Sequence, residues 1–269
     1  MEYISSKTNN QIKNIVNLVN NKKERIKQGL FVIEGVKILT EAEKNKVSIL
    51  KIFTTQKFFD NNRNIFEKIV NKDIEIIIIV EDICKKISNN VTPQEIFALC
   101  KIPSEISFDI ALNNGRNILM VLNLQDTGNF GTIIRTANAF GIDYILKSKD
   151  CPDIYSPKML RSSMGNVFNS NIIEIDDPIK TINMLKKSGF NIYASAISDN
   201  CEEIQTISFS DKNVIIVGNE GNGLNKDIIK AADKSVKIPM IKKIESLNVS
   251  IAAAILLWEL KKNKINDYN

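Results

Sequence analysis

The residues that could do chemistry in this chain fall in three polar loops. The first is Gln125-Asp126-Thr127-Gly128-Asn129-Phe130-Gly131-Thr132-Ile133-Ile134-Arg135-Thr136-Ala137. Glycines there let backbone approach a ligand closely and turn peptide N–H groups toward an anion. Asn129 and Arg135, six residues apart, are separated by about a turn and a half of helix. Arg135 sits among Ile133, Ile134, Ala137 and Ala139, which places it at the margin of a buried face. Pairing with a nearby carboxylate is the alternative reading of that arginine. The second loop, Gly218-Asn219-Glu220-Gly221-Asn222-Gly223-Leu224, alternates glycines with polar residues directly after Val-Ile-Ile-Val. The third runs from Ile238-Pro239-Met240 through Lys242 and Lys243 to Ser246-Leu247-Asn248-Val249-Ser250. Ser246 and Asn248 stand at N-cap positions there, and the unpaired amides of a first helical turn can hold a ligand. An ordinary capped core helix is the competing reading.

The sequence contains no histidine. That removes Ser-His-Asp and Cys-His nucleophilic catalysis and most transition-metal sites. Proton handling would rest on carboxylates, Lys, Arg, Tyr or the substrate itself. Cys84, Cys100, Cys151 and Cys201 are widely spaced with no C-x-x-C pair, so buried free thiols are expected, with neither disulfides nor zinc. The first loop is not G-x-G-x-x-G and lacks the G-K-[ST] ending of a phosphate-binding loop, which argues against a dinucleotide- or nucleotide-dependent enzyme.

Alternating strands and helices must position these loops. The pattern predicts a helix over 9–27 opened by Thr8 or Asn9, a strand at 30–33, a helix over 36–44, and strands at 49–54 and 74–80 flanking a helix over 58–70. A strand at 97–102 closes a small α/β unit at Pro103. Residues 105–116 read as a linker between domains at 1–104 and 117–269. The second domain restarts with 117–123, a near-continuous apolar strand suited to a parallel sheet covered on both faces. Helices over 129–140, 157–165 and 179–188 follow, with strands at 144–146, 172–175, 191–196, 214–218 and 235–238. The last helix, 249–260, is apolar nearly all round and is expected to be buried on most of its surface. In an open parallel sheet, ligands bind beyond the carboxyl ends of strands, which is where all three loops fall.

At 269 residues with 43% hydrophobic and 25% charged composition, the chain is a globular protein of one or two domains. No apolar run approaches the roughly 20 residues of a membrane span, and the N-terminus lacks the apolar core of a signal peptide. The cytoplasm is the expected location. Of the net charge of +5, all lies in residues 1–104, with 17 Lys+Arg against 12 Asp+Glu. A basic segment of this kind points to nucleic acid, with a solvated lysine-rich helix face as the alternative.

Asn129-x-Gly131-x-x-x-Arg135-x-Ala137, Gly218-Asn219-Glu220-Gly221-x-Gly223-Leu224, and Ile238-Pro239-Met240 with Ser246-Leu247-Asn248-Val249-Ser250 closely resemble, in order, the three motifs of the SpoU (TrmH-like) RNA ribose 2′-O-methyltransferases. Lys158-x-x-Arg161-x-Ser163-Met164-Gly165 fits the same family, and the run from Ser5-Ser6 to Glu34-Gly35 resembles its small substrate-binding domain, similar to certain ribosomal proteins. The resemblance covers almost the whole chain. It implies a deeply knotted (trefoil) parallel-sheet α/β domain, a homodimer formed through that domain, and S-adenosylmethionine cradled by the knot loops. The implied cofactor contacts are Gly218, Ile238 and Leu247, mostly through backbone, with Asn219, Gly223 and Met240 beside them and Ala196 at the edge. The implied reaction is attack of an RNA ribose 2′-hydroxyl on the sulfonium methyl, with Arg135 as the central residue and Asn129, Glu220, Ser246 and Asn248 orienting it. Guanidinium normally only donates, so Arg135 is expected to bind the hydroxyl and a neighbouring phosphate that assists proton loss. Lys7, Lys13, Lys22, Lys23 and Arg25 are the expected RNA phosphate contacts, with Lys158 and Arg161 nearer the active site. Ribosomal RNA of the large subunit is the preferred target. Transfer RNA, a methyltransferase acting on a base, and a non-catalytic assembly factor of the same fold remain the alternatives.

Overall fold

Runs of Ile, Val and Phe punctuated by asparagine-capped helices fold as two units in the computed structural model, which describes residues 1–69, 74–197, 200–241 and 246–262. Lys242 and Lys243 lie outside the described residues. One unit comprises Met1–Ser104 with Asp153–Phe168, the other Glu105–Pro152 with Asn169–Asn269.

The first unit contains β1 (Glu2–Ile4), α1 (Asn10–Asn20), α2 (Lys22–Gln28), β2 (Leu30–Glu34), α3 (Val36–Lys44), β3 (Ile49–Thr54), α4 (Gln56–Asn61), α5 (Arg63–Ile69), β4 (Glu75–Ile79), α6 (Glu81–Ile87) and β5 (Ile96–Lys101). Its sheet has the order β1-β4-β3-β5-β2, with β5 antiparallel to both neighbours. Asn9 opens α1 by accepting from the Gln11 amide at 2.8 Å. The single helix expected over 9–27 is broken at Asn21, whose extended backbone starts α2 and whose side chain accepts from the Lys23 amide at 2.9 Å. The helix expected over 58–70 divides in the same way at Asn62, which donates to the Phe58 carbonyl. A short amide side chain competes with the helix for backbone partners, so an asparagine-rich sequence breaks helices that apolar spacing alone would run together.

The second unit begins with α7 (Phe108–Asn114) inside the stretch read as a linker. Ser107 caps it, and Ala111, with Phe108 and Leu112, packs on the core of this unit. Then come β6 (Asn117–Val121), α8 (Thr127–Ala139), β7 (Tyr144–Ser148), α9 (Pro157–Ser162, part of the first unit), β8 (Ile172–Ile175), α10 (Pro178–Lys187), β9 (Asn191–Ser195), β10 (Glu202–Glu203), β11 (Asn213–Val217), α11 (Lys226–Ala231), β12 (Lys234–Lys237) and α12 (Val249–Lys261). The sheet is parallel throughout, in the order β10-β12-β9-β11-β6-β7-β8.

β6 and β11 are buried along their whole length and pair from Asn213 opposite Asn117 to Val217 opposite Val121. Full burial of each Ile, Leu or Val there contributes about 1.5–3 kcal/mol relative to exposure, which fixes the strand pair whose ends carry two of the three loops. α12 packs on α8 and β11 through the buried Ala253, Leu256, Leu257 and Leu260. Its burial is less complete than its composition implies: Ile251 is 53% and Trp258 48% exposed. No helix among the described residues is long and apolar enough to cross a membrane.

Candidate active site

The strands β12, β9, β11 and β6 are successive neighbours and run parallel, so their carboxyl ends share one edge. Ala196 follows β9, Gly218 follows β11 and Ile238 follows β12, each by one residue. The Ala196 amide donates to the Val236 carbonyl at 3.0 Å and holds β9 to β12 at this end. Gly218 admits no side chain, because a Cβ there would lie 2.4 Å from the Gly223 carbonyl oxygen. Asn219 and Gly223 exchange backbone hydrogen bonds of 3.1 and 3.0 Å, and Gly223 takes φ +62°, a conformation glycine adopts without strain. The Asn219 carboxamide oxygen accepts from the amides of Gly221 and Asn222, while its nitrogen donates to the Asn123 carbonyl at 2.8 Å. The turn after β11 is thereby tied to the loop after β6.

Asn129 joins all three loops. Its side-chain nitrogen donates to Glu220 Oε1 at 3.3 Å, and its oxygen accepts from Asn248 Nδ2 at 2.9 Å. Glu220 also accepts from the amides of Asp126 at 3.0 Å and Gln125 at 3.3 Å. Burial is the largest single influence on the Glu220 carboxyl and pushes its pKa up. Hydrogen bonds from the Asp126 amide, its own amide, Asn129 and the Gln125 amide together outweigh that, and the carboxyl sits below the ordinary glutamate value. Glu220 is thus held as an anion that fixes the Asn129 amide, and that amide in turn presents its oxygen to Asn248. Asn248 caps α12, accepting from the Ser250 amide at 2.9 Å and from the Ser250 hydroxyl at 2.6 Å. Ser246, two residues upstream, makes no hydrogen bond among the described residues; the cap belongs to Asn248 alone.

Arg135 lies on α8, exposed and without a hydrogen bond or ion pair among the described residues. The carboxylate partner considered for it is not found among them, and its five-donor fork is available. The peptide groups of Gly218, Ile238, Met240 and Leu247 also have no hydrogen-bond partner among the described residues, while Ala196, Ile238, Met240 and Leu247 have half-buried side chains. Open backbone donors and acceptors over half-buried apolar surface fit an adenosine moiety, which needs edge hydrogen bonds and a flat apolar bed.

Reasoning from sequence missed Asp126 and Asn123. Asp126, not Asn129, opens α8, accepting from the Asn129 amide at 2.7 Å. An acidic residue before Thr-Gly was the available signal. Asn123 takes φ +54° at the end of the β6 segment, its amide bonded to Ser148 Oγ at 2.9 Å. A cavity of about 290 Å³ opens beside this cluster, lined by Asn123, Gln125, Asp150, Asn219 and Asn222, with Gly223 and Asn225.

The expected RNA contacts all lie in the first unit. Lys13, Lys22, Lys23 and Lys158 are exposed, and Lys7 is exposed but paired with Asp82 at 3.0 Å. Arg161 is half-buried, 3.9 Å from Glu34. Arg25 is a correction: it is buried, donates to the Leu18 and Val19 carbonyls and pairs with Asp153 at 2.6 Å. Its burial on α2, with the guanidinium committed to two backbone carbonyls and a carboxylate, takes it away from RNA phosphate and makes it a structural ion pair.

Residues 116–258 match the SpoU rRNA Methylase family, and residues 9–98 match the MRM3-like substrate binding domain. The chain is 33% identical to the 23S rRNA (guanosine(2553)-2′-O)-methyltransferase RlmP of Bacillus subtilis (strain 168), over 97% of this chain and 100% of that protein. It superposes on the crystal structure of an AdoMet-bound rRNA methyltransferase from Sinorhizobium meliloti with a TM-score of 0.86 and 26% identity, covering 98% of each chain. A solved RNA 2′-O ribose methyltransferase gives a TM-score of 0.83 and 25% identity over 98% of this chain and 99% of that one. A parallel sheet bearing these edge loops, joined to a substrate-binding module, defines an RNA methyltransferase that uses S-adenosylmethionine. The chain belongs to the SpoU rRNA Methylase family.

Proposed function

We propose that this protein methylates a ribose 2′-hydroxyl of 23S ribosomal RNA. The observation that carries the reading is the Asn129 bridge, one amide holding Glu220 on one side and Asn248 on the other at the edge where the cofactor loops end. The Bacillus subtilis relative, whose name specifies a 23S rRNA guanosine and the 2′-oxygen, supports both the substrate and the position.

S-adenosylmethionine, when bound, supplies an electrophilic sulfonium methyl. Gly218, Ile238, Met240 and Leu247 would hold its adenosine through peptide groups, with Asn219 and Gly223 shaping the turn beside it and Ala196 at the margin. Arg135 donates from two arms of its fork to the 2′-oxygen and the adjacent phosphate. That lowers the hydroxyl's pKa and aims its lone pair, and the proton leaves toward the phosphate. Asn129 and Asn248, locked by Glu220, orient the ribose, and Ser246 adds a hydroxyl to the same rim. Lys7, Lys13, Lys22 and Lys23, with Lys158 and Arg161, bind phosphates and give affinity without sequence choice.

The second unit is the knotted methyltransferase domain, consistent with α12 following β12 yet packing back on α8 and β11. The working form is a cytoplasmic homodimer through that domain, and the apolar surface of Ile251 and Trp258 is the face a second copy would cover. The test supplies methyl-labelled S-adenosylmethionine with unmodified 23S ribosomal RNA and transfer RNA pools. Label entering the ribosomal RNA with wild-type protein and not with Asn129→Ala is the expected result. Label entering transfer RNA alone would overturn the substrate, and no label in either pool would leave an assembly factor as the better reading.

A further inference from the structure

We infer that the open cavity beside the Asn129–Glu220 cluster is a nucleobase-reading subsite in which Asp150 selects guanine. The cavity lies wholly in the second unit and measures about 290 Å³, room for one planar base and its water. Its wall is almost entirely carboxamide. Asn123 spends its side-chain oxygen on Ser148 Oγ, and Asn225 spends its own capping the Ile228 amide. The Nδ2 groups of Asn123 and Asn225 and the whole Asn222 carboxamide have no partner among the described residues. Gln125 gives its nitrogen to the Asn123 and Asp150 carbonyls, which leaves its Oε1 as an unused acceptor. The Asp150 carboxylate has no ion pair or hydrogen bond among the described residues.

That inventory excludes most occupants. A phosphate would meet a carboxylate and no cation, since among the described residues neither lysine nor arginine lines the cavity. An apolar ligand would strip water from five amide or carboxylate groups with nothing in return. A metal ion would find a single carboxylate among neutral amides, and no cluster among the described residues suits one. A flat neutral ligand rich in both donors and acceptors remains, and a nucleobase is that ligand.

Asp150 decides which base. An ionised carboxylate only accepts, through two oxygens side by side. Guanine alone presents two adjacent donors on its pairing edge, N1–H and the N2 amino group. Adenine and cytosine place a ring acceptor beside their amino group, and uracil places its single N–H between two carbonyls; each sets an acceptor against the carboxylate. The amides can turn to suit any base, whereas the carboxylate cannot.

The wall is also fixed in place. Asn123 is held at φ +54° by buried Ser148, and the Asn219 turn that forms the opposite side is the turn that carries Glu220. A base seated here would therefore register its nucleotide against the Asn129 bridge.

The inference rests on the proposed function only in taking the base from an RNA nucleotide, and its test does not require methyl transfer. Equilibrium dialysis of the full chain against GMP, IMP, AMP, CMP and UMP should give GMP the tightest binding, with IMP, which lacks the N2 amino group, about tenfold weaker. Asp150→Asn should abolish the preference of GMP over IMP while leaving S-adenosylmethionine binding unchanged. Asn222→Ala should weaken GMP and IMP alike. Equal binding of all five nucleotides, a guanine preference that survives Asp150→Asn, or displacement of GMP by S-adenosylmethionine would each overturn the proposal. A protein that transfers no methyl yet keeps the Asp150-dependent preference would support the subsite while counting against the proposed reaction.

Discussion

Asn129 has both ends of its amide committed, the nitrogen to Glu220 and the oxygen to Asn248, whereas Arg135 on the same helix has no partner among the described residues. The contrast separates a positioning residue from one held ready for substrate. If the planar fork of Arg135 spans hydroxyl and phosphate, Arg135→Lys keeps the charge and loses the geometry. Methyl transfer should fall by about 10²-fold or more, the scale of removing one preorganised donor, with S-adenosylmethionine affinity unchanged by calorimetry. Transfer close to wild type would remove the fork from the account. Glu220 offers a pH test. Its folded pKa lies below the ordinary glutamate value of 4.5, so its contribution to stability is full above that value and is lost as pH falls through the folded value. The thermal-unfolding difference between wild type and Glu220→Gln should therefore be constant near neutrality and shrink at pH values below about 4.5. Both residues could be picked out from the sequence, because each falls in a motif of fixed spacing, Asn129-x-Gly131-x-x-x-Arg135 and Gly218-Asn219-Glu220-Gly221. Asp126, Asn123 and the loss of Arg25 to Asp153 could not: a local cap, a positive φ and a pairing across 128 residues leave no trace in periodicity.

At the scale of elements, α12 is where structure and chemistry share one side chain. Asn248 caps the helix through its oxygen and reaches Asn129 through its nitrogen. Asn248→Asp keeps the capping oxygen and removes the donor, so stability should hold while methyl transfer drops. Asn248→Ala removes both and should cost about 1 kcal/mol as well, measured by denaturant unfolding. Equal activity of wild type and Asn248→Asp would reduce Asn248 to a cap. The long buried strands β6 and β11 were legible within a residue or two, since unbroken Ile, Leu and Val runs have one use in a parallel sheet. The divided helices at Asn21 and Asn62, the helix α7 inside an expected linker, and the short pieces β1, β10, α6 and α11 were not read. Each is too short for a period to emerge, or depends on an asparagine that outcompetes its neighbours for backbone partners.

At the scale of the whole molecule, strand order is the feature least accessible to sequence. The sheet places β11 between β9 and β6, and β12 outside β9, and the β11–β6 pairing joins Asn213 to Asn117 across a separation of 96 residues. Such a non-local choice is made between segments far apart in the chain, which no local window contains. The proposed homodimer belongs to this scale. Ile251→Glu with Trp258→Glu places charge on an apolar face that is already solvent-exposed in one chain, so folding should survive and sedimentation should shift from dimer to monomer. A pair of variants that stays dimeric would locate the contact elsewhere. The central claim is that this protein methylates the 2′-oxygen of a ribose in 23S ribosomal RNA. The most direct measurement is mass spectrometry of nucleosides released from that RNA after incubation with the protein and isotopically labelled S-adenosylmethionine. The account predicts one labelled 2′-O-methylnucleoside, a guanosine if the cavity reads as proposed, and none with Arg135→Ala. Label on the base, with the ribose unmodified, would contradict it.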